Sequence, residues 1–124
     1  MRLLLDTHVV LWWLMDDDTL STEIKETIDT EAEVLISTAS VWEIAIKHAL
    51  GKLTGPPDLL DIVVNCGLIE LPIRSRHAIE AGRLPLLHRD PFDRMLVAQA
   101  RCDGLTLVSR DPYVRRYDVP LRTV

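Results

Sequence analysis

Four short, mostly apolar runs divide this chain: RLLL (2–5), VLIS (34–37), LIEL (68–71) and LTLVS (105–109). They lack the in–out alternation of a sheet with one wet face, and they suit strands buried on both sides, as in a parallel sheet. Helical patterns fill the intervals. Within residues 21–32, Ile24 and Ile28 stand one turn apart with acids outside, and within 40–53, Val41, Ile44, Ala45 and His48 share a stripe that Gly51 can end. Residues 57–67, 75–84 and 91–104 carry further helical segments, and TGPP (54–57) reads as a turn. Strands alternating with helices predict an α/β fold, a three-layer α/β/α sandwich with a mainly parallel central sheet, in one domain over 1–124. Right-handed crossovers then bring every strand's carboxyl end to a single edge, where such folds place their ligand crevice.

Carboxylates fall along that edge. Asp6 ends the first strand, Glu43 lies early in the helix after the second, Asp93 opens the helix that feeds the fourth, and Asp111 follows the fourth. Asp93 joins the others only if its helix N-terminus faces the same way. A plainer explanation competes, because helices start where strands end and acids cap helices. In HRDPFDR (88–94), Asp90 reads as an N-cap, Pro91 as the first helical residue and Asp93 as the reciprocal partner. SVWE (40–43) likewise fits S-x-x-E, and RDP (110–112) puts an Asp before a Pro.

Capping alone does not explain why all four positions are acids, since Ser, Thr and Asn cap about as well. Two carboxylates ~4 Å apart repel by roughly 1 kcal/mol in water and about 4 kcal/mol at an effective dielectric near 20. Four of them converging require a cation or shared protons. Carboxylates without thiolates select hard ions, so Mg²⁺ or Mn²⁺ fits better than Zn²⁺. His8 reads as an orienting or packing residue, with a ligand or base role as the alternative.

Composition narrows the remaining classes. The 48% hydrophobic and 27% charged shares are those of a globular domain, and the longest apolar run, Val9–Met15, is too short to span a bilayer. Asp6 and His8 interrupt the apolar N-terminus, so it does not read as a signal peptide, and a cytoplasmic location is expected. Cys66 and Cys102 show no metal-binding spacing and are expected to be separate, reduced and partly buried. The net charge of −5 conceals an asymmetry: residues 1–46 hold two basic and ten acidic groups, residues 47–124 twelve and nine. The second part therefore permits a polyanionic partner, with Lys47, Arg89, Arg94 and Arg110 as candidates for gripping a phosphate backbone.

LLLDTHVVLWWL, SVWEIAIKHALGKL, HRDPFDRMLVAQA and LTLVSRDPYV together resemble PIN-domain ribonucleases, in particular the VapC-like toxins of type II toxin–antitoxin pairs, in the same order from Arg2 to Tyr113. The resemblance implies endonucleolytic RNA cleavage dependent on Mg²⁺ or Mn²⁺, leaving 5′-phosphate and 3′-hydroxyl ends. Matched by position, Asp6, Glu43, Asp93 and Asp111 are its metal-binding and catalytic acids. Asp90 is assigned capping or support of the metal site, and Thr7 and Ser109 match hydroxyls that brace the acids. The resemblance also implies an antitoxin partner and a homodimer, for which the nearly all-apolar VVLWWLM (9–15) offers surface.

Two other classes stay open on the residues alone. A phosphoacceptor signalling module also gathers acids around Mg²⁺, although it needs a Lys after a late strand where this chain has Arg110 and Asp111. In a non-catalytic interaction protein, the acids would be caps and the Trp-rich surface the function.

Overall fold

The computed structural model describes residues 1–124. In chain order the elements are β1 (Arg2–Leu5), α1 (Thr7–Leu14), α2 (Thr22–Thr30), β2 (Glu33–Ser37), α3 (Thr38–Ala49), α4 (Leu59–Val64), β3 (Ile69–Leu71), α5 (Ser75–Arg83), α6 (Pro91–Asp103), β4 (Thr106–Ser109), a 3₁₀ turn (Val114–Arg116) and β5 (Leu121–Thr123). The five strands form one sheet in the order β3-β2-β1-β4-β5, and every pairing is parallel. The fifth strand has no counterpart in the sequence reading. It is a three-residue edge strand with only Leu121 apolar, held by register with Leu107, Val108 and Ser109.

Strand side chains alternate between two apolar layers. Leu3, Leu5, Val34, Ile36 and Val108 pack with Val9, Val10, Ile24, Ile28 and Ile44, residues of α1, α2 and α3. Leu4, Leu35 and Leu107 point the other way, onto Leu96, Val97 and Ala100 of α6. The result is the expected α/β/α sandwich. Sequential connections leave β1 toward β2 on one side, while β4 pairs on the other. The sheet therefore has its topological switch beside β1, and a crevice opens there outside the carboxyl ends.

Helix starts are fixed by side chains. Asp6, Ser21, Ser37 and Asp90 each accept a hydrogen bond from a backbone N–H in the first turn of α1, α2, α3 and α6. α6 ends on Gly104 in the left-handed region, at φ 66°. The helix after β2 thus begins at Thr38, two residues before the S-x-x-E motif, because Ser37 is the residue that leaves the strand with a free hydroxyl. Cys102 is exposed, contrary to the expected partial burial, and Cys66 is half-buried. No helix is long and apolar enough to cross a membrane.

Candidate active site

Asp6 is the residue at which β1 becomes α1. Its Oδ1 accepts the Val9 N–H at 2.9 Å, and its Oδ2 accepts the Ser109 hydroxyl at 2.5 Å, tying β1 to β4. Only 5% of the residue is exposed. Burial pushes its pKa up, opposed by the hydrogen bonds from Ser109 and Val9 and by His8, and reinforced by the nearby charge of Asp111. Capping is therefore one of its roles, and the environment disfavours its charge even so.

Asp111 stands two residues past β4. Its N–H donates to Ser109 Oγ at 3.1 Å, so a single hydroxyl braces both acids. Its Oδ1 accepts the Tyr113 N–H at 2.8 Å, and its Oδ2 lies 3.4 Å from His88 Nε2. The same His88 nitrogen meets Asp93 Oδ2 at 2.7 Å. His88 thus bridges the acid beyond β4 and the acid at the third position of α6, and the N-terminus of α6 does face the carboxyl edge.

HRDPFDR resolves into a division of labour. Asp90 Oδ1 accepts the N–H groups of Phe92 and Asp93, at 2.8 and 3.3 Å, and starts the helix. Asp93 does not reach back to complete a capping box; its carboxylate turns to His88 instead. Burial pushes the Asp93 pKa up to about 7, with Asp90 and Asp111 adding to the rise against the His88 hydrogen bond. Ligand atoms of His88, Asp90 and Asp93 lie within 4.8 Å of one another.

Glu43 is no cap either. It sits in the second turn of α3 and is 4% exposed. Thr7 donates to its Oε1 at 2.6 Å and Lys47 to its Oε2 at 2.7 Å, while Thr7 Oγ1 also lies 3.1 Å from Ser40 Oγ. Because Thr7 follows Asp6 directly, this bond fixes α3 against the start of α1.

A cleft of about 470 Å³ opens on this edge, lined by Asp6, His8, Trp12, His88, Asp111 and Tyr113 among others. Glu43 and Asp93 do not line it: Asp93 bonds the lining residue His88, and Glu43 bonds Thr7, the neighbour of Asp6. His8 faces the cleft and is exposed, 5.8 Å from the Trp12 ring, so a core-packing role is ruled out.

The basic candidates differ in availability. Arg94 turns inward, donating to the carbonyls of Ala81 (2.8 Å), Leu84 (3.2 Å) and Pro85 (3.1 Å) and to the Tyr117 hydroxyl (3.2 Å). Tyr117 in turn receives the His88 N–H at 3.0 Å, so Arg94 and Tyr117 together clamp the loop that carries His88. Arg110 donates to Val124 O and Thr19 O while lying over the Trp12 ring at 4.9 Å. Lys47 is paired with Glu43, and Arg89 is exposed.

Sequence reasoning gave no role to His88, which has no spacing signal, and took Ser40 only as the cap of S-x-x-E. The only hint for His88 is its place five residues before Asp93, across a loop whose path periodicity cannot give. Ser40 reads as a cap until Ser37 is seen to take that role.

The donor set suits a hard cation. Asp6 and Asp111 line one cleft, Asp93 is joined to Asp111 through His88, and His88, Asp90 and Asp93 form the compact ligand group, while Glu43 stands apart with Thr7 and Lys47; the charge of Asp6 and Asp93 is disfavoured as the site stands. Fold and site define a parallel-sheet α/β protein with an acidic cleft at its topological switch.

The chain belongs to the PIN-domain family, whose sequence pattern matches residues 3–120. It is 27% identical to Ribonuclease VapC22 of Mycobacterium tuberculosis, over 94% of this chain and 92% of that one. Its fold is similar to chains in the structure of VapBC2 from Rickettsia felis bound to a DNA fragment from their promoter (TM-score 0.76, 14% identity, 99% and 98% of the two chains covered). It is also similar to the DNA-bound VapBC of Salmonella typhimurium (TM-score 0.71, 16% identity, 100% and 97% covered). Membership in this family sets aside the phosphoacceptor alternative.

Proposed function

We propose that this protein is a Mg²⁺- or Mn²⁺-dependent endoribonuclease, the toxin of a toxin–antitoxin pair. The observation that carries the reading is Asp6 and Asp111 lining one cleft at the switch point, with Asp93 joined to Asp111 through His88. Likeness to a protein named as a ribonuclease supports RNA as the substrate.

Asp6, Asp93 and Asp111 would hold the cation, with Glu43 completing the acidic set from α3. When bound, a divalent ion supplies Lewis acidity, lowering the pKa of water and balancing charge on a phosphodiester. The chain's own residues do the positioning. Ser109 sets the Asp6 and Asp111 carboxylates relative to each other, Thr7 orients Glu43, and Asp90 fixes the helix that presents Asp93. In-line attack of water on phosphorus displaces the 3′ oxygen and leaves a 5′-phosphate. Arg89 is free to meet the RNA backbone, and Arg110 presents its guanidinium at the cleft on the Trp12 face. Arg94 and Lys47 act indirectly, one by clamping the His88 loop and the other by pairing with Glu43.

An antitoxin partner is supported by the related chains' presence in VapBC structures. A homodimer completes the proposal. Trp12 and Trp13 of α1 are half-buried, Trp13 being bonded to Asp29, whereas Trp42 of α3 is 61% exposed beside Phe92. The apolar surface for self-association therefore lies on α3 and the start of α6 rather than on α1.

Incubating purified, antitoxin-free protein with RNA and Mg²⁺ or Mn²⁺ tests the function. Cleavage that stops with EDTA and is lost in Asp6→Asn is expected. Cleavage that survives both removes the metal-nuclease assignment.

A further inference from the structure

The acidic cleft shares a wall with a second cleft. That second cleft, of about 400 Å³, is lined by Leu86, Leu87, His88, Arg89 and Tyr113. His88 and Tyr113 line both. Their rings stack nearly parallel, with centroids 5.0 Å apart and an interplanar angle of 13°. The wall stands directly on the acids: the inner ring bonds Asp93 and faces Asp111, and the outer residue is fixed by its N–H to Asp111 Oδ1. Tyr113 is nevertheless 50% exposed, with its ring at the rim of both clefts.

We propose that Tyr113 is a stacking platform for an unpaired base of the RNA, and that the His88–Tyr113 pair is a wedge sending the nucleotides on either side of the scissile phosphate into different clefts. The proposal rests on the RNA reading above and adds to it the residues that hold the strand beside the scissile phosphate. Aromatic faces stack any base, giving affinity without sequence readout. Unpaired RNA is recognised in this way, by bases splayed out onto aromatic rings and guanidinium planes. The clefts on the two sides of the wall are built accordingly. On one side Arg110 lies over the Trp12 ring, and on the other Arg89 stands beside the apolar Leu86 and Leu87. Continuous stacking in a duplex leaves no gap for such a wall, so paired RNA is excluded by shape.

The test uses a short single-stranded oligoribonucleotide spanning a cleavage position mapped with the wild-type protein, in Mg²⁺ or Mn²⁺. It is compared with the same strand made abasic on one or the other side of that position, and with its duplex. Stacking of one base is lost in Tyr113→Ala, so KM should rise about tenfold with a smaller change in kcat, and Tyr113→Phe should restore it. An abasic nucleotide on one side should cost the wild type the same factor and cost Tyr113→Ala nothing more. The duplex should resist cleavage. An unchanged KM in Tyr113→Ala, an equal abasic penalty in both proteins, or equal cleavage of duplex overturns the wedge while leaving the nuclease reading standing. A wild-type protein inert toward every RNA overturns both. Melting curves of the two variants show whether either has lost the fold, and Tyr113→Phe supplies the comparison if Tyr113→Ala has.

Discussion

Thr7 and Glu43 meet through a 2.6 Å hydrogen bond in the buried layer between α1 and α3. The bond joins the residue after β1 to the second turn of a helix that begins more than thirty positions later, and it leaves no room for Glu43 to serve as a cap. Replacing Thr7 by Val keeps the shape and removes the donor. A buried carboxylate oxygen left without its partner costs about 1–3 kcal/mol. Thr7→Val should therefore melt several degrees lower than the wild type and cleave RNA more slowly, as measured by thermal denaturation and an RNA cleavage assay.

Arg94 clamps the loop carrying His88 through a fork of bonds to four carbonyls, that of His88 among them, and the Tyr117 hydroxyl. A lysine carries the charge without the fork. Arg94→Lys should lower stability by about 1.5–3 kcal/mol, the scale of a lost hydrogen bond to a charged group. It should also reduce cleavage without weakening RNA binding by a comparable factor. A purely backbone-gripping role would show the reverse: weaker binding and an unchanged melting temperature.

The Asp103 side chain, at the far end of α6, accepts hydrogen bonds from Arg76 at 3.0 Å and from the fully buried His77 at 3.1 Å. Burial alone would raise its pKa, but hydrogen bonds from His77 and Arg76, together with their charges, hold it below the ordinary value of 3.8. A depressed carboxylate stabilises the fold above its unfolded pKa, and that stability is lost as pH falls through the folded value. Asp103→Asn should therefore melt lower than wild type at neutral pH, and the two curves should converge as pH falls below the ordinary carboxylate value.

Much of the architecture was legible because strands buried on both faces are written as unbroken apolar runs. Leu3, Leu4 and Leu5 fill both layers of the core, as do Val34, Leu35 and Ile36. β5 was not legible, since an edge strand of three residues with Arg122 at its centre carries too little apolar pattern to stand out. At the site, the positions of Asp6 and Asp111 followed from strand ends alone. The turn of Asp93 away from its capping box did not, because it depends on His88 arriving from a loop held by Tyr117 and Arg94. The inward path of Arg94 was hidden for the same reason. Charge is visible in a sequence, but the carbonyls that satisfy it belong to the tertiary fold.

Asp93 gives the stability of the metal-free protein an unusual slope. A carboxyl whose pKa is raised from 3.8 to about 7 favours the folded state while protonated. That contribution is whole below the unfolded value and is lost as pH rises through about 7. Asp93→Asn stays neutral, so without metal its melting temperature should exceed the wild type's by about 4 °C at pH 8, for each ~1 kcal/mol of relieved charge, and the gap should close at acid pH. Thermal melts in EDTA across that range check the sign.

The convergence of the carboxylates on a divalent ion is tested most directly by calorimetric titration of Mn²⁺ into metal-free protein near pH 7, in two buffers of different ionisation heat. Binding should release protons, because burial keeps Asp93 protonated far above the ordinary carboxylate range, and the release should disappear in Asp93→Asn along with most of the affinity. Heats that are the same in wild type, Asp6→Asn and Asp93→Asn, or no binding at all, would contradict the account.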